Sequence, residues 1–410
     1  MLFRSCASRP TRCLPNGFSG VCKGPFVVNF SQRTSWQRRP NALSAALETR
    51  RARGLPVIDL TLSNPTRAGL AYPESLWNAL RDVDHSSYVP DARGLPEARR
   101  AVSAYYAARN INVDAHRLLL TSSTSEAYAL LFKVLADPGD RVLVPRPSYP
   151  LLQYLADLEG IELGYYPLRY DGVRWMLDTD RLAAAVDART RAVVLVNPNN
   201  PTGSYISAEE RRVVETLCCE CGLAVISDEV FFDYALGEQR GVSFASEGRG
   251  LHVALGGLSK ALALPQAKLG WMAVGGDAAL RDEALARLEI AADTYLSVGG
   301  GIQRALPALM ASCEALQAEV IQRVRANYGL LCDGVEGAEL VHSEGGWYGV
   351  LRIEGDEEAL ALALLEREGV LVHPGYFYDF AGGSYWVLSL LAEDIAAGLA
   401  GIARVLEANR

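Results

Sequence analysis

Lysine is nearly absent from this chain of 410 residues: of forty basic side chains only four are Lys, at positions 23, 133, 260 and 268. No stretch approaches the roughly 20 uninterrupted apolar residues of a membrane-spanning helix, which argues against an integral membrane protein. A positive excess is lacking too. The 40 basic and 48 acidic residues leave a formal net charge of −8, so there is no electrostatic footprint for nucleic acid. Of the eight cysteines, at 6, 13, 22, 218, 219, 221, 313 and 332, only Cys218 and Cys221 stand as CxxC. A lone pair makes neither a closed zinc site nor a disulfide framework. The two close an amphipathic stretch from Ala208 to Cys221 and read as ordinary helix surface and core, without metal, in a reducing compartment.

Acidic residues are missing from positions 1–47, which carry Arg4, Arg9, Arg12, Lys23, Arg33, Arg38 and Arg39. This leader lacks the apolar core of a secretory signal, yet being Arg-rich and acid-poor it partly matches a transit peptide. The equal alternative is a disordered extension, or an upstream start codon, ahead of a fold that begins near Phe30; on either reading positions 1–47 are expected to be disordered or removable. A cytoplasmic location is expected, with organelle targeting by the leader left open.

What is present is a globular composition, 50% hydrophobic and 21% charged, long enough for two domains. From Tyr72 onward, apolar runs of strand length alternate with helix-length amphipathic stretches. The predicted strands are Leu118 to Thr121, Arg141 to Val144, Ile161 to Tyr166, Ala192 to Asn197, Leu223 to Ser227, His252 to Leu255 and Lys268 to Val274. Such alternation predicts an α/β fold with a mostly parallel central sheet, whose ligands collect at the C-terminal strand ends. The pattern then changes to a long helical stretch, Ile302 to Leu331. Short strands follow at Trp347 to Ile353 and Tyr385 to Leu391, with helices at Asp356 to Glu368 and Asp394 to Glu407. The expected division is a large domain over 72–295 and a smaller α+β domain formed by 30–71 with 296–410.

Several strands run directly into small or polar residues: Thr121-Ser-Ser-Thr-Ser125, Pro145-Arg-Pro-Ser-Tyr149, Asn197-Pro-Asn-Asn-Pro-Thr-Gly203, Ser227-Asp-Glu229 and Gly256-Gly-Leu-Ser-Lys260. Polar chemistry therefore clusters on one sheet edge. Lys260, after a buried-looking strand, is placed where desolvation lowers an amine's pKa and makes it a usable imine-forming nucleophile, although a structural lysine fits as well. Ser122 to Ser125 open a helix and offer hydroxyls and free N–H groups to a phosphate, or else simply cap it. Asp228, ending a strand, is suited to hold a protonated pyridine nitrogen.

Together and in this order, these loops resemble the fold-type I pyridoxal-phosphate enzymes, specifically the class I/II aminotransferases, over roughly residues 55 to 405. The most specific pieces are Asn197 to Gly203, Ser227-Asp228-Glu229, and Leu258-Ser259-Lys260 followed by Lys268-Leu-Gly-Trp271. The resemblance implies an aminotransferase-like fold and pyridoxal 5′-phosphate as cofactor. Lys260 would form the Schiff base and then shuttle a proton. Asp228 would hold the ring nitrogen, Asn200 would bond the ring oxygen, and Tyr149 would stack on the ring face. It places Ser123, Thr124 and Ser125 in the phosphate cup, with Ser259 and Lys268 as further phosphate contacts. Tyr88 would reach the phosphate of a neighbouring subunit, implying a homodimer with shared active sites.

Three positions depart from that family pattern. Phe231 stands where a tyrosine usually bonds the cofactor's ring oxygen, which removes one donor unless Tyr234 substitutes. Val387, in Tyr385-Trp-Val-Leu-Ser389, stands where an arginine usually grips the substrate's α-carboxylate; Arg67 and Arg146 are the candidate replacements. Lys268 stands where Arg is common. The expected activity is ping-pong amino transfer, via a pyridoxamine form, between a small-molecule amino donor and a 2-oxo acid. The alternative is a β-lyase or decarboxylase on the same fold. An effector module of a transcription regulator is disfavoured, since no helix-turn-helix precedes the fold. Tyr72, Trp77, Tyr88, Tyr149 and Trp347 suggest a bulky apolar substrate side chain or plain core filling.

Overall fold

The computed structural model describes residues 28–238 and 241–409. Its strands, in chain order, are β1 (Ile58–Asp59), β2 (Leu118–Thr121), β3 (Arg141–Arg146), β4 (Glu162–Tyr170), β5 (Trp175–Leu177), β6 (Thr190–Val196) and β7 (Ala224–Asp228). They continue with β8 (Leu251–Gly257), β9 (Gly270–Gly276), β10 (Ala338–Val341), β11 (Tyr348–Ile353), β12 (Val370–Leu371), β13 (His373–Pro374) and β14 (Ser384–Ser389).

The central sheet has eight strands in the order β2-β9-β8-β7-β6-β3-β4-β5. Pairing is parallel from β8 through β4, while β9 runs antiparallel to both β2 and β8. Strands β2, β7 and β8 are buried almost throughout. That is why they read as unbroken apolar runs: a sheet covered by helices on both faces leaves neither side for polar residues. All seven predicted strands are present, with ends within two residues of those expected except in β4, which runs four residues past its predicted end. The edge strand β5 was not anticipated. Asp171 makes its turn, accepting from the N–H of Val173 and Arg174 at 2.8 Å each, and Asp-Gly at 171–172 is the hairpin signal that marks it.

Because β9 is inverted between two strands of the opposite sense, it enters the sheet at the edge where β2, β3, β6, β7 and β8 end. One edge therefore gathers the loops after five strands and the approach to a sixth. The predicted helix Ile302 to Leu331 is two helices, Gly300–Ser312 and Glu314–Cys332. Pro307 removes one amide donor in the first of them, and Glu314 favours a fresh N-terminus at that point. The helix Ala208–Cys221 has its predicted bounds and is started by a capping box between Ser207 and Glu210.

A second sheet, β10-β11-β14-β13, is antiparallel throughout. The segment after β1 ties it to the central sheet. Ser389 donates its N–H to the Leu60 carbonyl at 2.7 Å and its hydroxyl to the Leu62 carbonyl at 2.5 Å, and the next carbonyl, of Ser63, accepts from Lys260 Nζ at 3.1 Å. Part of the leader is folded as well: Arg33 donates to the Leu158 carbonyl and the Trp36 indole to Asp157, both at 2.8 Å, and Leu43 is buried. Positions 1–27 of the leader lie outside the described residues.

Candidate active site

A cavity of about 650 Å³ opens at the gathered edge. Ser123, Thr124, Ser125, Tyr149, Asn200, Asp228, Ser259, Lys260 and Lys268 all line it. These are nine of the ten residues expected to face a cofactor. Tyr88 is not among them: it is 79% exposed and lines a separate cleft of about 250 Å³ beside Ser297 and Arg304.

One end of the cavity is built to receive an anion. Ser123 caps the helix Thr124–Leu135, its hydroxyl accepting from the Glu126 N–H at 3.2 Å, which leaves the first-turn amides of Thr124 and Ser125 free to bond outward. Glu126 is kept from competing, because one carboxylate oxygen is held by the Ser122 N–H at 2.6 Å, the Ser122 hydroxyl at 2.9 Å and the Ser297 hydroxyl at 2.7 Å. Gly270 fits the same purpose. A Cβ there would stand 3.1 Å from Ser123 C and Thr124 N, so the start of β9 can lie close against the helix end. Lys268 reaches the cavity from a left-handed backbone conformation, φ +49°.

The other end holds the titratable groups. The Asp228 carboxylate accepts from the Tyr128 hydroxyl at 3.1 Å and the Val230 N–H at 3.2 Å. Burial nevertheless pushes its pKa up to about 6, against the pull of those bonds and of the Lys260 charge. Burial pushes the Lys260 amine the other way, down to about 8, with Asp228 partly opposing. The amine lies 4.8 Å from the Trp347 ring centroid and 5.5 Å from that of Phe231, so apolar walls rather than cations strip its hydration. Burial and then the Asp228 charge raise the Tyr149 phenol. Asn200 is buried, and its Oδ1 has no hydrogen-bond partner among the described residues, an orphaned acceptor of the kind that marks a ligand position.

The departures from the family pattern are now physical. Phe231 packs its ring against Trp347 and Tyr348, at centroid separations of 5.2 and 6.0 Å. Tyr234 does not replace the missing hydroxyl: it is fully buried and donates to the Lys260 carbonyl at 2.5 Å, outside the cavity. Val387 is buried in β14 opposite His373 of β13 and Val350 of β11.

Of the two candidate cations, Arg146 is engaged elsewhere, with Nε 3.5 Å from Asp379 and its guanidinium 3.5 Å over the Tyr165 ring. Arg67 lines the cavity from the short turn Pro65–Arg67, and its guanidinium makes no hydrogen bond or ion pair among the described residues. Of the aromatics suggested for a bulky substrate, Tyr149 lines the cavity, while Tyr72 stacks on Trp77 at 5.8 Å and donates to the Ala263 carbonyl. Sequence reasoning missed Ser63, Tyr348, His373 and Tyr378, which also line the cavity. The Gly345-Gly346 pair just before Trp347-Tyr348 was the available signal for Tyr348.

The family described as aminotransferase class I and II matches residues 55–385. Among curated proteins, nicotianamine aminotransferase 1 of Oryza sativa subsp. japonica is 27% identical over 388 residues, covering 88% of this chain and 76% of its own. A glutamate-pyruvate aminotransferase of Haemophilus influenzae is 27% identical over 346 residues, with 80% and 84% covered. An alanine aminotransferase from Pyrococcus furiosus superposes with a TM-score of 0.85 at 22% identity, over 93% of this chain and all of that one. These relatives favour amino transfer over the lyase or decarboxylase alternative. The chain belongs to the class I and II aminotransferases, enzymes that move an amino group from one carbon skeleton to another.

Proposed function

We propose that this enzyme holds pyridoxal 5′-phosphate in the 650 Å³ cavity and transfers an amino group, by a ping-pong route, between an amino acid and a 2-oxo acid. The observation that carries this is convergence. Loops widely separated in the chain bring an anion-receiving helix end, a buried carboxylate, the Asn200 side-chain amide and a desolvated amine into one cavity. That set matches a ligand with a phosphate, a ring nitrogen, a ring oxygen and an aldehyde.

Bound there, the cofactor supplies an aldehyde that condenses with amines and a ring that accepts electrons as the substrate's α-C–H bond is broken. The rest falls to this chain's side chains. The helix end and Lys268 fix the phosphate. Asp228, ionised at neutral pH, holds a proton on the ring nitrogen. Tyr149 covers one face of the ring. The Lys260 amine, with its pKa near working pH, takes and returns a proton at the substrate's α-carbon. Adding pyridoxal phosphate to the purified chain is expected to give visible absorption and, after borohydride, a mass increase on the Lys260 peptide. A colourless, unlabelled protein defeats the proposal.

Arg67 is assigned to the substrate's carboxylate. Of the other cavity cations, Arg51 stands 3.9 Å from Asp59 and Lys268 sits at the anion-receiving end. A charge-assisted bond is worth roughly 1.5–3 kcal/mol. Arg67→Ala is therefore expected to raise KM for amino acids about 10- to 100-fold with little change in kcat, while a primary amine without a carboxylate reacts as before. Steady-state kinetics on both substrate types decides it, and an equal loss on both rules the assignment out.

A homodimer with shared sites is supported by the exposed apolar side chains of Tyr88, Val89, Ile290, Tyr295 and Leu296, three of which line the second cleft. Free thiols at Cys218, Cys219, Cys221, Cys313 and Cys332 suit a reducing, cytoplasmic compartment. The division into a large domain, 72–295, and a smaller one, 30–71 with 296–410, has support from the two separate sheets.

A further inference from the structure

Phe231 leaves the cofactor's ring oxygen one donor short, and Tyr234 is committed to a backbone carbonyl. A different phenol occupies the gap. Tyr348 opens β11, is buried, lines the cavity and packs against the Phe231 ring. Burial raises the Tyr348 phenol, against a partial opposing pull from the side chains of Ser63 and Asn200, which line the same cavity beside it. The phenol hydroxyl has its own proton to give. Asn200 is itself the residue matched to the ring oxygen, so the Tyr348 hydroxyl lies beside that binding position.

We propose that Tyr348 donates the hydrogen bond to the cofactor's ring oxygen that position 231 supplies in relatives with tyrosine there. The inference rests on pyridoxal phosphate occupying the cavity. A donor aimed at the ring oxygen favours its deprotonated form and so lowers the pKa read from the holoenzyme's visible absorption. The other titratable groups facing that region are Lys260, Asp228, Tyr149, Tyr378 and His373. Tyr378 points its hydroxyl at His373 Nδ1, 3.1 Å away, whereas the Tyr348 phenol faces Asn200.

The test is a spectrophotometric pH titration of reconstituted holoenzyme. Tyr348→Phe is expected to raise the pKa by about one unit, and adding Phe231→Tyr to that variant to bring it back toward the starting value. Rescue from the neighbouring position 231 is a response that a merely structural tyrosine would not give. An unmoved pKa in coloured Tyr348→Phe protein, or a double variant that fails to recover, overturns the role of Tyr348 alone. Wild-type protein that stays colourless overturns it together with the cofactor reading.

Discussion

Replacing Lys260 with alanine is expected to lower the rate of amino transfer by at least about 10⁴-fold, because two roles are proposed for this one side chain: attachment of the cofactor's aldehyde and proton exchange at the substrate's carbon. Its replacement by arginine is expected to be nearly as damaging. Arginine keeps the charge but stays protonated at every working pH, whereas the Lys260 amine, pushed down to about 8 by its apolar walls, is partly neutral there. Single-turnover measurements with preloaded cofactor separate this loss from simple loss of cofactor affinity. A Lys260→Ala enzyme that kept a tenth of its turnover would remove the residue from the chemistry.

Asp228→Asn carries the second-largest expected effect, a fall of roughly 10²- to 10³-fold in kcat, since a neutral amide cannot keep the ring nitrogen protonated. The same change has the opposite sign for stability without cofactor. Folding raises this carboxyl from 3.8 to about 6, so between those values the folded state holds a proton that the unfolded state has released. Stability falls as pH rises through that window and stays reduced above it, by on the order of 3 kcal/mol for a two-unit shift. Cofactor-free Asp228→Asn protein is therefore expected to melt higher than wild type at pH 8 and to converge with it near pH 4. Saturating pyridoxal phosphate reverses the order at pH 8, because only the wild type gains the ion pair. Thermal melts with and without cofactor at the two pH values check all three statements. Identical melting temperatures at pH 8 without cofactor would contradict them.

Much of this was legible in the sequence, for a definite reason. Strands buried on both faces have no polar positions, so Val142 to Val144 and Ala224 to Ile226 announce themselves as strands without any alternation. The loops that follow carry the chemistry in contiguous motifs, which is how nine cavity residues could be named in advance. What stayed hidden depends on contacts between distant segments. Ser63, Tyr348 and His373 reach the cavity from three stretches that join it only through the packing of the second sheet and the segment before it. Nothing local separated Arg67 from Arg146, because each adjoins an active-site loop. The difference is that Arg146 is spent on Tyr165 and Asp379. The long helix failed at Cys313 since its apolar spacing continues across the break.

The tether between the sheets has a mechanical consequence. Ser389 grips the backbone at Leu60 and Leu62, and one residue further on that same backbone grips the reactive amine. Any rigid-body displacement of the strand bearing Ser389 would pull on the backbone whose Ser63 carbonyl restrains Lys260. The strand bearing Ser389 and the reactive amine are thereby linked through the backbone from Leu60 to Ser63.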